Sequence, residues 1–195
     1  MPEAGIVLTG AAGQMGQLLQ SALRPSVSLD ILSGDDLAAP ERSWAAKLAG
    51  TTAVVHLAVD PTGTAQAAIR NEAMTWNIIE SAIAHDVCKI VFASSVMADP
   101  ALYGIEQPKL WYGQSKRAQE AALQAWSAHD GRRSAVALRF GLYHPGGRAP
   151  SHDIEAVRVT EAGVIYWVRR ALAAGPGFFC WTAIGNGSEP GVDSP

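Results

Sequence analysis

The sequence predicts an α/β protein, built as a doubly wound parallel sheet with helices on both faces, and two observations lead to this class. Short apolar runs alternate along the chain with longer segments whose apolar residues recur at helical spacing. The runs are apolar throughout, as expected of strands that are buried on both faces. Residues 1–185 should form this single domain, and the tail 186–195, which lacks core-forming residues, should be loose.

The predicted elements follow one another in a regular order. Pro25 should end the first helix, and Gly50 the second. A loop with three Pro or Gly residues is expected at 97–110, before the fourth helix. The strands are expected at 5–10, 28–32, 52–59, 89–95, 134–141 and 177–184. The helices are expected at 14–24, 41–50, 67–86, 112–130 and 160–174.

Charge and cysteine content exclude several functional classes. A net charge of −3 and a pI near 5.9 give no electrostatic reason to expect nucleic acid or an anionic membrane as a partner. Cys88 and Cys180 lie far apart, and the histidine spacing suggests no metal site. No apolar segment has the length of a signal peptide or a membrane span, so we expect a cytoplasmic protein.

A glycine-rich loop stands between the first predicted strand and the first predicted helix. Gly10 should permit a tight turn, Gly13 should let the backbone approach a pyrophosphate, and Gly16 should let the helix pack against the sheet. The free N–H groups at the helix start would then face the phosphates. The alternative is an ordinary turn with extra glycines. Around these glycines, the loop residues expected to contact the cofactor are Ala12, Gln14 and Met15.

A dinucleotide site also needs an acidic residue near the end of the second strand, about 20 residues after the glycines. Asp35 lies 19 residues after Gly16, and Asp36 follows it. An acid at this place would bind the adenosine ribose and would repel a 2′-phosphate, which favours NAD over NADP. A solvated turn, "SGDD", explains the same residues nearly as well.

Tyr112 and Lys116 stand four residues apart in "WYGQSK" and should share one face of a helix. The chain has only four tyrosines, but a lysine follows one of them at this spacing by chance often enough that the spacing alone does not establish a site. A lysine ammonium beside a phenol would lower the pKa of the phenol and make it a usable base.

Together and in this order, the motifs resemble those of the extended short-chain dehydrogenases/reductases, the NAD-dependent epimerase/dehydratase family with a Rossmann-like fold, over residues 4–185. The pattern T-G-x-x-G-x-x-G matches residues 9–16, and H-x-A matches residues 56–58. A strand that ends in the catalytic serine matches "VFASS", and Y-x-x-x-K matches Tyr112 and Lys116. Within the family, several segments are most similar to the uronate dehydrogenases.

The resemblance implies roles for individual residues. Ser95 would hydrogen-bond the reacting oxygen, Tyr112 would remove the hydroxyl proton, and Lys116 would also hold the nicotinamide ribose. Asn71 would orient a water that relays the proton. His56 is expected to be a packing residue near the cofactor. The further cofactor contacts implied are Leu57 and Ala58 at the end of a strand, and Asp36 with Leu37, which matches the family's adenine contact by context.

The implied activity is NAD-dependent oxidation of C1 of a hexuronic acid to the lactone. A substrate carboxylate would need a guanidinium, for which Arg148 and Arg158, in the loop and helix after the fifth strand, are candidates, although surface arginines are the plainer explanation. Two alternatives stay open. One is a nucleotide-sugar epimerase or reductase of the same family, and the other is a catalytically weak NAD(P)-binding sensor or partner-binding protein.

The chain also differs from the family pattern in two ways. The segment between Pro25 and Trp44 is too short for two strands, and the C-terminal substrate region is expected to be truncated. Family members often pair through two helices, so a homodimer through residues 64–85 and 112–128 is expected.

Overall fold

In a computed structural model of the chain, residues 5–99, 110–145 and 157–187 are described. The strands are β1 (Gly5–Thr9), β2 (Val27–Leu29), β3 (Thr51–His56), β4 (Lys89–Ser95), β5 (Ser134–Phe140), β6 (Leu142–Tyr143), β7 (Arg158–Val159) and β8 (Gly177–Ala183). The α-helices are α1 (Gln14–Leu23), α2 (Ala65–Ala84), α3 (Leu110–Ala128) and α4 (Glu161–Ala173). Three short 3-10 helices cover Ile31–Ser33, Ala45–Leu48 and Val96–Ala98.

Six strands form one parallel sheet in the order β2-β1-β3-β4-β5-β8. The order of the strands reverses between β1 and β3. In an open parallel sheet, the carboxyl ends of the strands at such a reversal form a crevice where ligands bind. The predicted α/β class, a Rossmann-like parallel sheet with helices, is therefore confirmed.

Apolar side chains cover both faces of this sheet, which explains why the central strands read as continuous apolar runs. One cluster joins Ile78 of α2 and Leu123 of α3 to the strands. The other includes Leu19 of α1 and Val168 of α4. All four of these side chains have no exposed surface, so each helix is fixed to the sheet by apolar burial.

The predicted helix at 41–50 is wrong. Only a short 3-10 helix, Ala45–Leu48, forms there. Its position depends on side chains: the Trp44 ring is 1% exposed, and its Nε1 donates to the carbonyl of Asp36 at 3.1 Å. The segment must bury the Trp44 ring, and it must end at Gly50, whose φ of +75° is not helical. These two requirements leave room only for a short 3-10 helix.

Two further features differ from the sequence prediction. The two-residue strands β6 and β7 pair with each other in a separate small sheet, and strands this short leave no periodic pattern to detect. Arg158 was expected on a helix, but it lies on the strand β7. Between Leu23 and Thr51 the described chain has a single strand, β2, in agreement with the shortness of that segment.

Candidate cofactor cleft and acid–base site

The turn after β1 packs against the end of β3 so closely that only glycine fits. Gly10 has a φ of +67°, and a Cβ added there would lie 2.7 Å from the backbone N of Ala58. A Cβ at Gly16 would lie 2.2 Å from the carbonyl oxygen of Gly10. Real Cβ atoms do not approach backbone this closely, so these two glycines let α1 begin directly above the strand ends.

The N-terminus of α1 points its free N–H groups into this region. Gly13 is the N-cap and has no side chain that could accept from them. The first N–H groups of a helix have no partner within the helix, so those at Gln14 and Met15 are available to an anion. The loop is further fixed by Ala12, whose N–H donates to the Asp30 carboxylate at 2.9 Å.

Asp30, which the sequence analysis did not consider, is the carboxylate at the end of β2. Its Oδ2 accepts from Ala12, and its Oδ1 accepts from the N–H of Leu32 at 2.9 Å. A carboxylate has about four lone-pair sites, so two stay free for ribose hydroxyls. Asp30 follows Leu29 directly, and an acidic residue immediately after an apolar run was the signal that could have identified it.

Asp35, the acid that the spacing favoured, lies in the same cleft and is 5% exposed. Its Oδ1 accepts from Lys47 Nζ at 2.5 Å. Its Oδ2 is buried and has no hydrogen-bond partner within the described residues. A buried carboxylate oxygen without a donor is costly, and a ligand hydroxyl or amine would satisfy it. Asp35 therefore stays a candidate beside Asp30.

A cleft of about 380 Å³ lies beside the glycine turn and reaches across to the end of β3. Its lining includes Asp36, which pairs with Arg70 Nη2 at 2.7 Å. Partial burial raises the pKa of Asp36, but Arg70 and the N–H groups of Ala38 and Ala39 together lower it by more, so the pKa lies below its ordinary value. The predicted contacts that line the cleft are Gly10, Gly13, Asp35, Asp36, Leu37, Leu57 and Ala58. This combination of glycine turn, carboxylates and apolar walls fits an adenosine moiety.

Asn71 is buried, at 2% exposure, and does not lie on the helix surface. Its Oδ1 accepts from the N–H of Asp60 at 2.7 Å, and its Nδ2 donates to the carbonyl of Asp60 at 3.0 Å. Asn71 thereby holds the loop after β3 that lines the cleft. Its predicted role in orienting a water stays a prediction.

Ser95, Tyr112 and Lys116 come together at the carboxyl end of β4. The Ser95 hydroxyl lies near the Tyr112 phenol. Lys116 Nζ donates to the carbonyl of Ala93 at 2.7 Å and lies 5.6 Å from the centre of the Tyr112 ring. The i, i+4 spacing on α3 thus places both side chains against the strand end, as the sequence predicted.

The pKa of Tyr112 differs from the expectation. Burial raises the pKa of the Tyr112 phenol above its ordinary value, and the nearby Ser95 hydroxyl opposes this only in part. Burial also lowers the pKa of Lys116 to about 7, against the charge of Glu120, which raises it. Lys116, at 2% exposure, carries its charge only partially at neutral pH, which weakens its pull on the phenol.

His56 packs inside the protein, as predicted, and belongs to a buried chain of hydrogen bonds. Its Nδ1 lies 2.8 Å from Thr9 Oγ1, and its Nε2 lies 3.3 Å from Thr75 Oγ1. Thr75 donates to Gln119 Oε1 at 2.8 Å. Thr9 Oγ1 already accepts from the N–H groups of Leu57 and Ala58, so it donates to His56, which is consequently neutral.

Of the two arginines predicted to bind a substrate carboxylate, Arg158 lies on β7. Arg148 is outside the described residues. Within residues 5–99, 110–145 and 157–187, no group of three His, Cys, Asp or Glu side chains is placed to hold a metal ion. No helix of that part of the chain is long and apolar enough to cross a membrane.

Comparison with known proteins places this geometry in context. A sequence model of the NAD dependent epimerase/dehydratase family matches residues 6–159. Curated proteins give no significant match. Among solved structures, a mutated uronate dehydrogenase has a TM-score of 0.73 at 20% identity, covering 94% of this chain and 76% of its own.

Other similar structures bind nucleotide sugars according to their names. The UDP-N-acetylglucosamine 4-epimerase from Bacillus cereus has a TM-score of 0.71 at 23% identity, covering 94% of this chain and 80% of its own. MoeE5, in complex with UDP-glucose and NAD, has a TM-score of 0.68 at 21% identity, covering 95% of this chain and 77% of its own. At such identities, these similarities establish the fold alone.

The neutral, buried His56 predicts a specific loss of stability in mild acid. Burial lowers the pKa of His56 from 6.5 to about 3, so below pH 6.5 the unfolded chain binds a proton that the folded chain refuses. The free energy of unfolding should therefore fall by about 2 kcal/mol between pH 6.5 and 5 from this group. In urea unfolding experiments, the free energy of unfolding of His56→Gln should change less between pH 6.5 and 5 than that of the wild type.

The matched control is His129→Gln, at an exposed position after α3, which should keep the wild-type dependence. If the free energy of unfolding changed equally with pH in the wild type and in His56→Gln, His56 would not be held neutral in the folded protein.

Proposed function

The chain belongs to the NAD-dependent epimerase/dehydratase family, and we propose that it is an NAD-dependent dehydrogenase that oxidises C1 of a hexuronic acid to the lactone. An oxidoreductase function is supported above all by the placement of Ser95, Tyr112 and Lys116 together at the end of β4. The uronate substrate is supported by the resemblance of the sequence motifs and by the similar fold of a uronate dehydrogenase.

Each residue of the trio has a defined task in this reaction. The Ser95 hydroxyl holds the reacting oxygen, and the Tyr112 phenolate removes the proton of the substrate hydroxyl. Because burial raises the pKa of Tyr112, the phenolate needs positive charge nearby, which protonated Lys116 supplies. Bound NAD would accept the hydride from C1.

The cleft fits NAD better than NADP in charge. Among the described residues, four carboxylates line it, those of Asp30, Asp35, Asp36 and Asp60. Lys47 is paired with Asp35 and Arg70 with Asp36, which leaves the carboxylates of Asp30 and Asp60 in excess. The extra phosphate of NADP would bring negative charge among these carboxylates and would be repelled. We therefore propose NAD as the cofactor.

A nucleotide-sugar epimerase is the second candidate, because UDP-sugar 4-epimerases are among the proteins of similar fold. The same trio would serve both reactions. The two differ in outcome, since an epimerase returns the hydride to the sugar and a dehydrogenase releases NADH.

The first prediction concerns turnover. With NAD and either galacturonate or glucuronate, the protein should form NADH, measured by absorbance. Tyr112→Phe should lower kcat by about 10²–10⁴-fold, the usual share of a positioned general base. Tyr166→Phe, at a partly exposed tyrosine of α4, removes a phenol without touching the site and should keep the wild-type rate.

NADH formation that survives in Tyr112→Phe would contradict the assigned base. No NADH from the wild type, together with interconversion of UDP-sugars by the NAD-loaded protein, would favour the epimerase. NAD binding without NADH formation or UDP-sugar interconversion would favour the remaining alternative, a catalytically weak NAD(P)-binding sensor or partner-binding protein.

The second prediction separates the two candidate ribose acids. Asp30→Asn should weaken NAD binding about tenfold or more, the cost of a hydrogen bond to a charged group, and should narrow the preference for NAD over NADP. Asp35→Asn serves as the matched control and should have the smaller effect. Calorimetric titration of both variants measures this, and the reverse order would identify Asp35 as the ribose acid.

The third prediction concerns self-association. We propose a homodimer through α2 and α3, because Ile69, Trp76 and Ile83 recur every seven residues on α2 and are 63%, 52% and 52% exposed. On α3, which packs against α2, Ala118 and Ala125 are also exposed. Trp76→Glu should shift the molar mass in light scattering from dimer to monomer.

Leu32→Glu, at an 83% exposed leucine after β2, is the control and should keep the dimer. A wild type that is monomeric at the same concentration would contradict this interface.

A further inference from the structure

Three residues at four-residue spacing on α3 meet three consecutive residues of β4. Tyr112 lies near Ser95, Lys116 donates to the carbonyl of Ala93, and Glu120 accepts at Oε1 from the Ser94 hydroxyl at 2.5 Å. Glu120 is therefore the third member of the stripe that carries the acid–base pair, although the proposed reaction gives it no task.

The carboxylate of Glu120 is buried and fully engaged. Its residue is 7% exposed, and Arg139 donates to it with both arms of its guanidinium, Nε to Oε1 at 3.0 Å and Nη2 to Oε2 at 2.8 Å. Arg139 Nη1 also donates to Asp99 Oδ2 at 2.9 Å. A bidentate pair of this kind fixes the orientation of both partners.

The buried charge of Glu120 connects this cluster to Lys116. Lys116 and Glu120 stand one helical turn apart on α3, and the two residues are 2% and 7% exposed. Their opposite charges therefore interact in surroundings from which water is largely excluded. Uncompensated charge in a buried site is costly, so the carboxylate of Glu120 favours the ammonium form of Lys116.

We propose that Glu120 is a positioning residue for the hydride transfer, whose buried carboxylate favours the ammonium form of Lys116 beside Tyr112 and, through Ser94, fixes the strand end that carries Ser95. The catalytic meaning of this inference rests on the proposed function, but the effect on Lys116 exists without any substrate. It agrees with the opposing influences on the pKa of Lys116, which burial lowers to about 7 and the charge of Glu120 raises.

Other ionisable groups face the same cluster from each element packed against it. His56 stays neutral throughout the range of interest, because burial lowers its pKa to about 3. Burial raises the pKa of Cys180 to about 11, so that thiol is also neutral. The groups in question are His56 of β3, Tyr112 of α3, Arg139 of β5, Cys180 of β8 and Asp99 after β4.

The experiment follows the titration of Lys116 by NMR on protein labelled at the lysine side chains. The sequence has four lysines, at 47, 89, 109 and 116, so the Lys116 signal is assigned by its loss in Lys116→Arg. Glu120→Gln, which keeps the shape and removes the charge, should move the Lys116 midpoint to lower pH. Arg139→Gln, which leaves Glu120 unpaired, should move it to higher pH.

Ser94→Ala is the control that separates charge from structure. It removes one hydrogen bond of Glu120 and keeps the carboxylate, so the Lys116 midpoint should stay at the wild-type pH. In the presence of NAD and substrate, the pH dependence of kcat should move in the same direction as the Lys116 midpoint.

An unchanged Lys116 midpoint in folded Glu120→Gln would overturn the proposal. If Glu120→Gln does not fold, Arg139→Gln decides, and a midpoint that stays or moves to lower pH overturns the proposal. The titration needs no cofactor, so a wild type without turnover would refute the proposed function and leave this result valid.

Discussion

The contact between the turn after β1 and the end of β3 determines where the rest of the site lies. Gly10 leaves no space for a side chain beside Ala58, and the Thr9 hydroxyl accepts from the backbone N–H groups of Leu57 and Ala58. This contact joins the two strands at the point where the sheet order reverses. It brings the N-terminus of α1, the carboxylate of Asp30 and the loop held by Asn71 to the edge of one cleft.

The acid–base half of the site depends on a different constraint, the burial of charge. Lys116 and Glu120 are almost fully buried, and each would be unstable there without partners. Arg139, Ser94 and the carbonyl of Ala93 provide those partners, which also fixes α3 against β4. The stability of this region and its chemistry therefore rest on the same hydrogen bonds.

The sequence predicted best those features that depend on local pattern. The apolar run at 89–95 gave β4 at its observed bounds, and the spacing of Tyr112 and Lys116 placed both on one helix face. Asp30, the second candidate for the ribose acid, was not considered because the usual spacing of about 20 residues after the glycines pointed to Asp35, beyond the three-residue strand β2. The raised pKa of Tyr112 was missed because burial depends on the whole fold. The spacing also places Glu120 four residues after Lys116, but its contacts could not be predicted because its partners Ser94 and Arg139 are distant in sequence.

The buried chain from Thr9 through His56 and Thr75 to Gln119 has a mechanical consequence. Gln119 continues it to Ser115, whose hydroxyl donates to the carbonyl of Ala68. Every donor in this chain points the same way, so no member can rotate without breaking its neighbour's bond. These bonds connect the glycine turn at one end to the helix of Tyr112 at the other, so a shift of either element would have to break a buried hydrogen bond.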